Sequence, residues 1–321
     1  MANVLFTSYC NRNCSYCFAK EKVVLGNDRG DASKNMSIET LGHVIEFYRR
    51  NMLRRFVILG GEPTLHPNFN QMIDLVSSES FLKSIIIFTN GLMPKNTLDY
   101  LAINPDPRIR IALNLNSPDN HTKSQMSHVE KTMETLGPKI GLGVNIYKAG
   151  QEYDYLIDAI EQYNLSRHVR VGLTQPIPGF KNIYATEEDI PAIAVDILEF
   201  AEKFYKKNIN FSFDCGFRFC MFSLEQHKEL LRMGINFKSV CSPIIDVGPD
   251  LSVWRCFPLN SNICGLLTDF TSKNEITDFY EKDYKSFIPM GNMPECPECR
   301  YRVNSLCSGG CLSRTLMSFQ R

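Results

Sequence analysis

Residues 4–17 read VLFTSYCNRNCSYC. An apolar, β-prone run over Val4–Ser8 breaks directly into Cys10-x-x-x-Cys14-x-x-Cys17. A short run of β-branched and aromatic residues that stops at small polar ones reads as a strand followed by a loop. Three thiols within eight residues of one loop have metal-ligand spacing. An iron–sulfur cubane has four irons and is usually held by four thiolates. Three thiolates leave one iron open to bind something else, the logic of a catalytic metal site with an open position. The rival reading of the triplet alone is a zinc site with a remote fourth ligand.

The same strand-then-loop pattern recurs downstream. Strands are expected at Phe56–Leu59, Ser84–Thr89, Ile109–Asn114, Ile140–Tyr147 and His168–Thr174, each bounded by Gly, Pro or Asn. Between them lie helical patterns at Ser37–Asn51, Phe69–Ser77, Thr122–Leu136, Tyr153–Tyr163 and Glu187–Lys207. The first carries Leu41, Val44, Ile45 and Tyr48 on one face. Six βα units in a row predict an α/β fold with a parallel sheet, because parallel strands need crossover helices. Six units are fewer than close a complete barrel, so a partial (βα)6 barrel with a lateral mouth is expected. The chemistry of such folds sits at the C-terminal strand ends, where the first cysteine falls.

The octet CNRNCSYC, with Tyr16 before its third cysteine, and Gly60-Gly61-Glu62-Pro63 at the end of the second strand resemble the paired signatures of radical S-adenosylmethionine (SAM) enzymes. The resemblance covers about residues 1–207 and implies a [4Fe–4S] cluster on Cys10, Cys14 and Cys17. The open iron would chelate the methionine end of SAM, with Tyr16 near adenine. Gly60, Gly61, Glu62 and Pro63 would receive the methionine ammonium group. Glycine lets a backbone approach a ligand closely, and a carboxylate suits an ammonium. Further strand-end residues carried over by the resemblance are Thr89 and Asn90 bordering SAM, Asn114 and Asn116 near the ribose, and Gly172 with Leu173 near adenine. Each of these reads equally as a turn or cap residue. The implied reaction is one-electron cleavage of SAM to methionine and a 5′-deoxyadenosyl radical, which abstracts hydrogen from a substrate.

After about residue 208 the character changes. Phe211–Phe222 is aromatic and holds Cys215 and Cys220, and residues 241–311 carry seven cysteines among many Pro, Gly and Asn. A loop-rich segment with few apolar residues is expected to draw its missing core from metal clusters. Cys241, Cys256, Cys296, Cys299, Cys307 and Cys311 resemble the SPASM domain of radical SAM enzymes that modify peptides or proteins. Leu251 stands where that family has glycine, the gap from Cys299 to Cys307 is longer than the family's, and the family's final cysteine has no counterpart. The resemblance implies one auxiliary cubane on Cys241, Cys256, Cys311 and an upstream cysteine. A second takes Cys296, Cys299, Cys307 and a last ligand. Cys215 or Cys220 is the candidate upstream ligand and Cys264 the replacement for the last. One thiol is left over, and Cys215 and Cys220 are also candidate hydrogen donors. A zinc ribbon and a single-cluster version are the alternatives. The expected domains are 1–207, the radical SAM barrel, and 208–321, the SPASM-like auxiliary unit. Asp214 and Arg218 flank the aromatic segment and are read as a polar turn or as lining of the mouth.

Lys+Arg and Asp+Glu both number 35, so net charge gives no argument for nucleic acid or an anionic membrane. No run approaches the length of a membrane span, and residues 1–10 have no signal-peptide pattern, so a cytoplasmic protein is expected. With clustered cysteines, a reducing compartment favours metal ligands over disulfides. The expected substrate is a residue of a ribosomally made peptide or protein, to be crosslinked, epimerised, oxidised or cleaved. Only nine residues precede the first ligand, so a separate leader-peptide recognition protein is expected to present it. A ferredoxin or flavodoxin would supply the electron. A small-molecule dehydrogenase or rearrangement enzyme is the alternative. A non-catalytic iron–sulfur protein is disfavoured, because it has no use for an open iron beside a SAM pocket.

Overall fold

A computed structural model describes residues 2–25, 34–237 and 239–319. All six expected strands form: β1 (Ala2–Thr7), β2 (Arg55–Gly60), β3 (Ser84–Thr89), β4 (Ile109–Asn114), β5 (Ile140–Ile146) and β6 (His168–Leu173). They pair in parallel in chain order, with Leu5 opposite Leu59 and Ile87 opposite Ile111. Sequential right-handed crossovers place their helices on one face and leave the other free. These helices are α1 (Ile38–Arg50), α2 (Phe69–Ser77), α3 (Lys95–Ile103), α4 (Lys123–Leu136), α5 (Asp154–Gln162) and α6 (Ile190–Lys206). Ser37 starts α1 by accepting from the Thr40 N–H at 3.0 Å, and Thr122 with Gln125 forms a capping box on α4. Alternate strand residues such as Ile85, Ile87, Ile109 and Ile111 pack under the helices with Leu41, Val44 and Met72. The opposite face carries Phe88, Asn114 and Arg170.

The parallel run continues beyond the expected six. β7 (Asn210–Phe213) adds to β6, pairing Val169 with Phe211. At the far side β8 (Ile245–Val247) runs parallel to β1, and β9 (Ser252–Trp254) and β10 (Ile263–Leu266) follow it antiparallel. The sheet order is therefore β10-β9-β8-β1-β2-β3-β4-β5-β6-β7. The chain after residue 208 thus extends both edges of the sheet. The aromatic residues of 208–237 join the core, whereas the loop-rich character expected of the segment lies in residues 241–311. Phe213 packs against Phe217 and Phe237 at centroid distances of 4.5 and 4.7 Å, and Phe211, Phe217, Phe222 and Phe237 are buried in the main core.

The turn from β8 to β9 explains one departure from the SPASM-like pattern. Leu251, at the family's glycine position, has φ of +65°. A left-handed non-glycine residue costs roughly 1–2 kcal/mol. The turn is held nonetheless by the Leu251 N–H to the Gly248 carbonyl at 3.0 Å, and Leu251 packs on the core. Among the described residues no helix is long and apolar enough to cross a membrane.

Candidate functional site

The Cys10 loop leaves the C-terminal end of β1. Tyr9–Cys10 forms a two-residue parallel pair with Val24–Leu25, so the loop folds back on itself. Its floor is the end of β2. The Gly61 N–H donates to the Thr7 carbonyl at 2.9 Å, and the Glu62 N–H to the Tyr9 carbonyl at 2.7 Å. A Cβ on Gly60 would lie 2.5 Å from the Thr7 oxygen, and one on Gly61 would strike the Tyr9 carbonyl and come 2.8 Å from the Cys10 Cβ. The two glycines are therefore required by the cysteine loop itself, which the sequence reading had assigned to a ligand.

Glu62 belongs to the same strand ends. Its side chain has no exposed surface. Oε1 accepts from the Thr64 N–H (3.3 Å), Thr64 Oγ1 (2.6 Å) and Thr89 Oγ1 (2.9 Å), and Oε2 accepts from the Asn90 N–H (2.7 Å). Burial raises its pKa against these four donors. The carboxylate ties the ends of β2 and β3 together, with three donors on Oε1 and one on Oε2. Asn90 carries the tie onward: its Nδ2 donates to Asn11 Oδ1 at 2.9 Å and approaches Cys10 Sγ at 3.9 Å, while Asn11 Nδ2 donates to the Leu92 carbonyl. Pro63 is buried in the turn that follows.

All twelve cysteines are unpaired thiols. Burial pushes Cys10 up to about 12 and Cys17 up to about 11. Buried thiols raised in this way are poor nucleophiles, and a bound metal's charge would favour their thiolate form. Cys14 and Cys17 lie within electrostatic reach of Cys10. Arg12, between Cys10 and Cys14, has a buried Nη1 without a partner, while its Nη2 holds the Asn120 carbonyl. Three thiols, a sulfur-directed amide and an unpartnered guanidinium suit a net-negative iron–sulfur cluster. Among the described residues no three Cys, His, Asp or Glu converge on one metal-ion point.

The remaining expected contacts form a rim. Tyr16 stacks on Tyr147 at 4.9 Å and 10°. Asn114 Oδ1 accepts from Arg170 Nη2 at 2.7 Å, and Arg170 also pairs with Asp214 and lies over the Phe88 ring. Asn116 is half-buried and Leu173 buried. A Cβ on Gly172 would lie 2.7 Å from Asn145 Oδ1, so this glycine makes room for an asparagine on β5. The sequence reading missed Arg170, Tyr147 and Asn145, which alternate with core residues on strands it had placed. Of its pair Asp214 and Arg218, Asp214 reaches this face. Arg218 is buried and paired with Glu187 at 2.5 Å. Trp254 is buried with Leu5, Ala19 and Phe257 and touches the Cys17 side of the loop, joining the C-terminal hairpin to the front site.

Behind this face, eight of the nine other thiols fall into two neighbourhoods. Cys256 lies within electrostatic reach of Cys311, Cys241 and Cys215. Cys220 lies within reach of Cys307 and Cys296, with Cys299 in the same turn as Cys296. Cys264 stands on β10, its thiol 3.6 Å from the Tyr280 hydroxyl. Cys264 thus stands on the edge strand, with Tyr280 as its partner.

Residues 4–137 match the family model of the radical SAM superfamily. That span contains both motifs and runs through α4, so the match to a radical SAM domain covers the first part of the chain. The GTP 3′,8-cyclase of Alkaliphilus oremlandii is 22% identical over 181 residues, covering 54% of this chain and 55% of the relative. The chain spans about half or less of the length of the first curated relatives it matches. Among solved structures, Streptococcus suis SuiB bound to S-adenosylmethionine superposes with a TM-score of 0.67 over 97% of this chain and 72% of that one, at 17% identity. A histidine-tagged anSMEcpe with bound AdoMet gives 0.62 over 97% and 88%, at 18% identity. At these identities the likeness is one of fold, and it extends over the C-terminal segment as well as the barrel.

Proposed function

We propose that this chain cleaves SAM reductively at a cluster held by Cys10, Cys14 and Cys17, and takes hydrogen from a residue of a ribosomally made peptide or protein. When bound, the cluster and SAM supply the electron and the 5′-deoxyadenosyl radical. The chain's own residues seat the cysteine loop on Gly60–Gly61 and lock the β2 and β3 ends through Glu62. Tyr16, Thr89, Asn90, Asn114, Asn116, Gly172 and Leu173 border the SAM side, and the Arg170–Asp214 pair faces the substrate side.

The observation that carries the peptide reading is the gathering of the C-terminal thiols into two groups beside the barrel. This supports an auxiliary iron–sulfur unit over residues 208–321, the feature by which the sequence resembles peptide-modifying enzymes. A small-molecule substrate is the second reading, favoured by the relative named a GTP cyclase. The test is anaerobic turnover of the reconstituted protein with dithionite and SAM. One arm holds the short peptides encoded beside its gene, with any neighbouring leader-binding protein, and the other holds GTP. Mass loss or deuterium uptake in a peptide supports the first reading. Consumption of GTP with the peptides unchanged overturns it.

A further inference from the structure

The loop from β7 to α7 (Leu224–Arg232) carries Cys215 and Cys220, five positions apart. It is clamped between the segments that hold the C-terminal cysteines. Phe219, beside Cys220, stacks on Tyr301 at 5.3 Å and 17°, two residues after Cys299. The Phe217 carbonyl accepts from Ser239 Oγ at 2.6 Å, and that same Oγ lies 3.1 Å from Cys307 Sγ. The Gly309 N–H donates to Cys307 Sγ at 3.3 Å, and the Gly309 carbonyl lies 4.0 Å from Cys296 Sγ. Cys220, Cys296 and Cys307 thus surround one turn, with Cys299 closing it through its N–H to the Cys296 carbonyl.

The Cys215 end of the loop meets a different set. Gly216 abuts the Gln175 side chain, whose Oε1 accepts from Arg314 Nε at 2.7 Å, three residues beyond Cys311. The Cys241 N–H donates to Ser308 Oγ at 2.7 Å, and Cys241 and Cys256 pack together on Leu259, Tyr284 and Leu312. Leu312 is the neighbour of Cys311. Buried guanidinium nitrogens without partners stand beside both sets: Arg255 Nη1, whose Nη2 reaches the Cys241 carbonyl, and Arg218 Nη1 and Arg302 Nη1 near the Cys220 set. Arg218 and Arg255 are 4% and 3% exposed. Each of these guanidiniums is held through its other nitrogen, so the buried Nη1 atoms leave donors free for a negative group beside each set.

We propose that Cys220 completes a four-thiol site with Cys296, Cys299 and Cys307, that Cys215 completes a second with Cys241, Cys256 and Cys311, and that Cys264 is the spare thiol. Each site then has the four thiolates of a fully ligated [4Fe–4S] cluster. The fourth thiolate of each site thus comes from upstream, from the same loop. One short loop joins both clusters. This assignment rests on the auxiliary-cluster reading above.

Exposure alone predicts the opposite pattern of reactivity, which makes the test sharp. Cys215 and Cys220 are exposed and Cys264 is only half-buried. The anaerobically reconstituted full chain is treated with iodoacetamide before and after iron chelation, and each cysteine is mapped by mass spectrometry alongside iron content and electron paramagnetic resonance. The expected result is that Cys215 and Cys220 alkylate about tenfold or more slowly with iron present, as iron-bound thiolates, while Cys264 reacts alike in both states. Cys220→Ala either loses about four irons or keeps a three-thiol cluster with an altered spectrum, whereas Cys264→Ala keeps iron and spectrum. A holoprotein with about twelve irons in which Cys220 alkylates freely, or in which Cys264→Ala loses iron, overturns the ligand assignment only. A wild-type protein with only about four irons overturns the auxiliary-cluster reading and the assignment with it.

Discussion

Replacing Glu62 by glutamine exchanges one carboxylate oxygen for an amide NH2 that can only donate. The amide oxygen takes the Oε1 place, where three donors meet, so the NH2 is turned against the Asn90 N–H. That buried N–H is then unsatisfied, at a cost of about 1–3 kcal/mol. The other three bonds lose their charge assistance, while the burial cost that raises the carboxylate's pKa disappears. These two changes oppose each other, so the unsatisfied N–H sets the size of the effect. The expected fall in melting midpoint is roughly 2–10 °C. Because Asn90 also braces Asn11 and Cys10, front-cluster iron and SAM affinity should fall together. Scanning fluorimetry of metal-free and reconstituted protein, iron per chain and equilibrium SAM binding measure all three. A variant with unchanged midpoint and full iron that has lost SAM binding would refute the reasoning, since it would place the carboxylate on the ligand.

Gly61→Ala should drive a methyl group into the Tyr9 carbonyl and against Cys10, so that the front cluster, about four irons per chain, is lost while the auxiliary iron stays. Full iron content in this variant would contradict the floor role given to Gly61. Asp246, buried on β8 with Asn3 Nδ2 at 2.7 Å, is pushed up to about 7 by burial from 3.8. Its folded pKa exceeds the unfolded one, so its contribution is fully present below about pH 4 and is lost as pH rises towards 7, amounting to roughly 4 kcal/mol. Asp246→Asn should therefore flatten the melting midpoint between about pH 5 and 8 and raise it at pH 8; an unchanged slope would show the carboxyl titrating normally.

Local signals made the barrel legible. The runs around Val4, Ile58, Ile86, Ile111, Val144 and Val171 are long, apolar and closed by turn residues, and all six formed strands. α3 escaped notice because Lys95–Ile103 buries only Thr97, Leu98 and Leu101 and starts after Pro94 without a side-chain cap. β7 to β10 are three or four residues each, too short for a period, and gain their place only by pairing: β7 with β6, β8 with β1, and β9 and β10 in turn on β8. At the site, the thiol spacing of Cys10, Cys14 and Cys17 was readable because one loop contains it. The structural roles of Gly60, Gly61 and Glu62 were not legible for the converse reason. Their partners Thr7, Tyr9, Thr89 and Asn90 lie on other strand ends, and only the parallel register brings them together. The same holds for Cys220, which sits some eighty residues before Cys296 and Cys307 and lies beside them through contacts at Ser239 and Tyr301.

The central claim is that the three thiols of the first loop, and no others, hold the cluster at which SAM is cleaved. It is tested most directly by measuring 5′-deoxyadenosine formed from SAM under dithionite by the wild-type chain and by a Cys10→Ala, Cys14→Ala, Cys17→Ala variant, with iron counted in both. The account predicts product from the wild type, none from the variant, and about four irons fewer in the variant, with the auxiliary iron retained. A triple variant that still forms 5′-deoxyadenosine would contradict it.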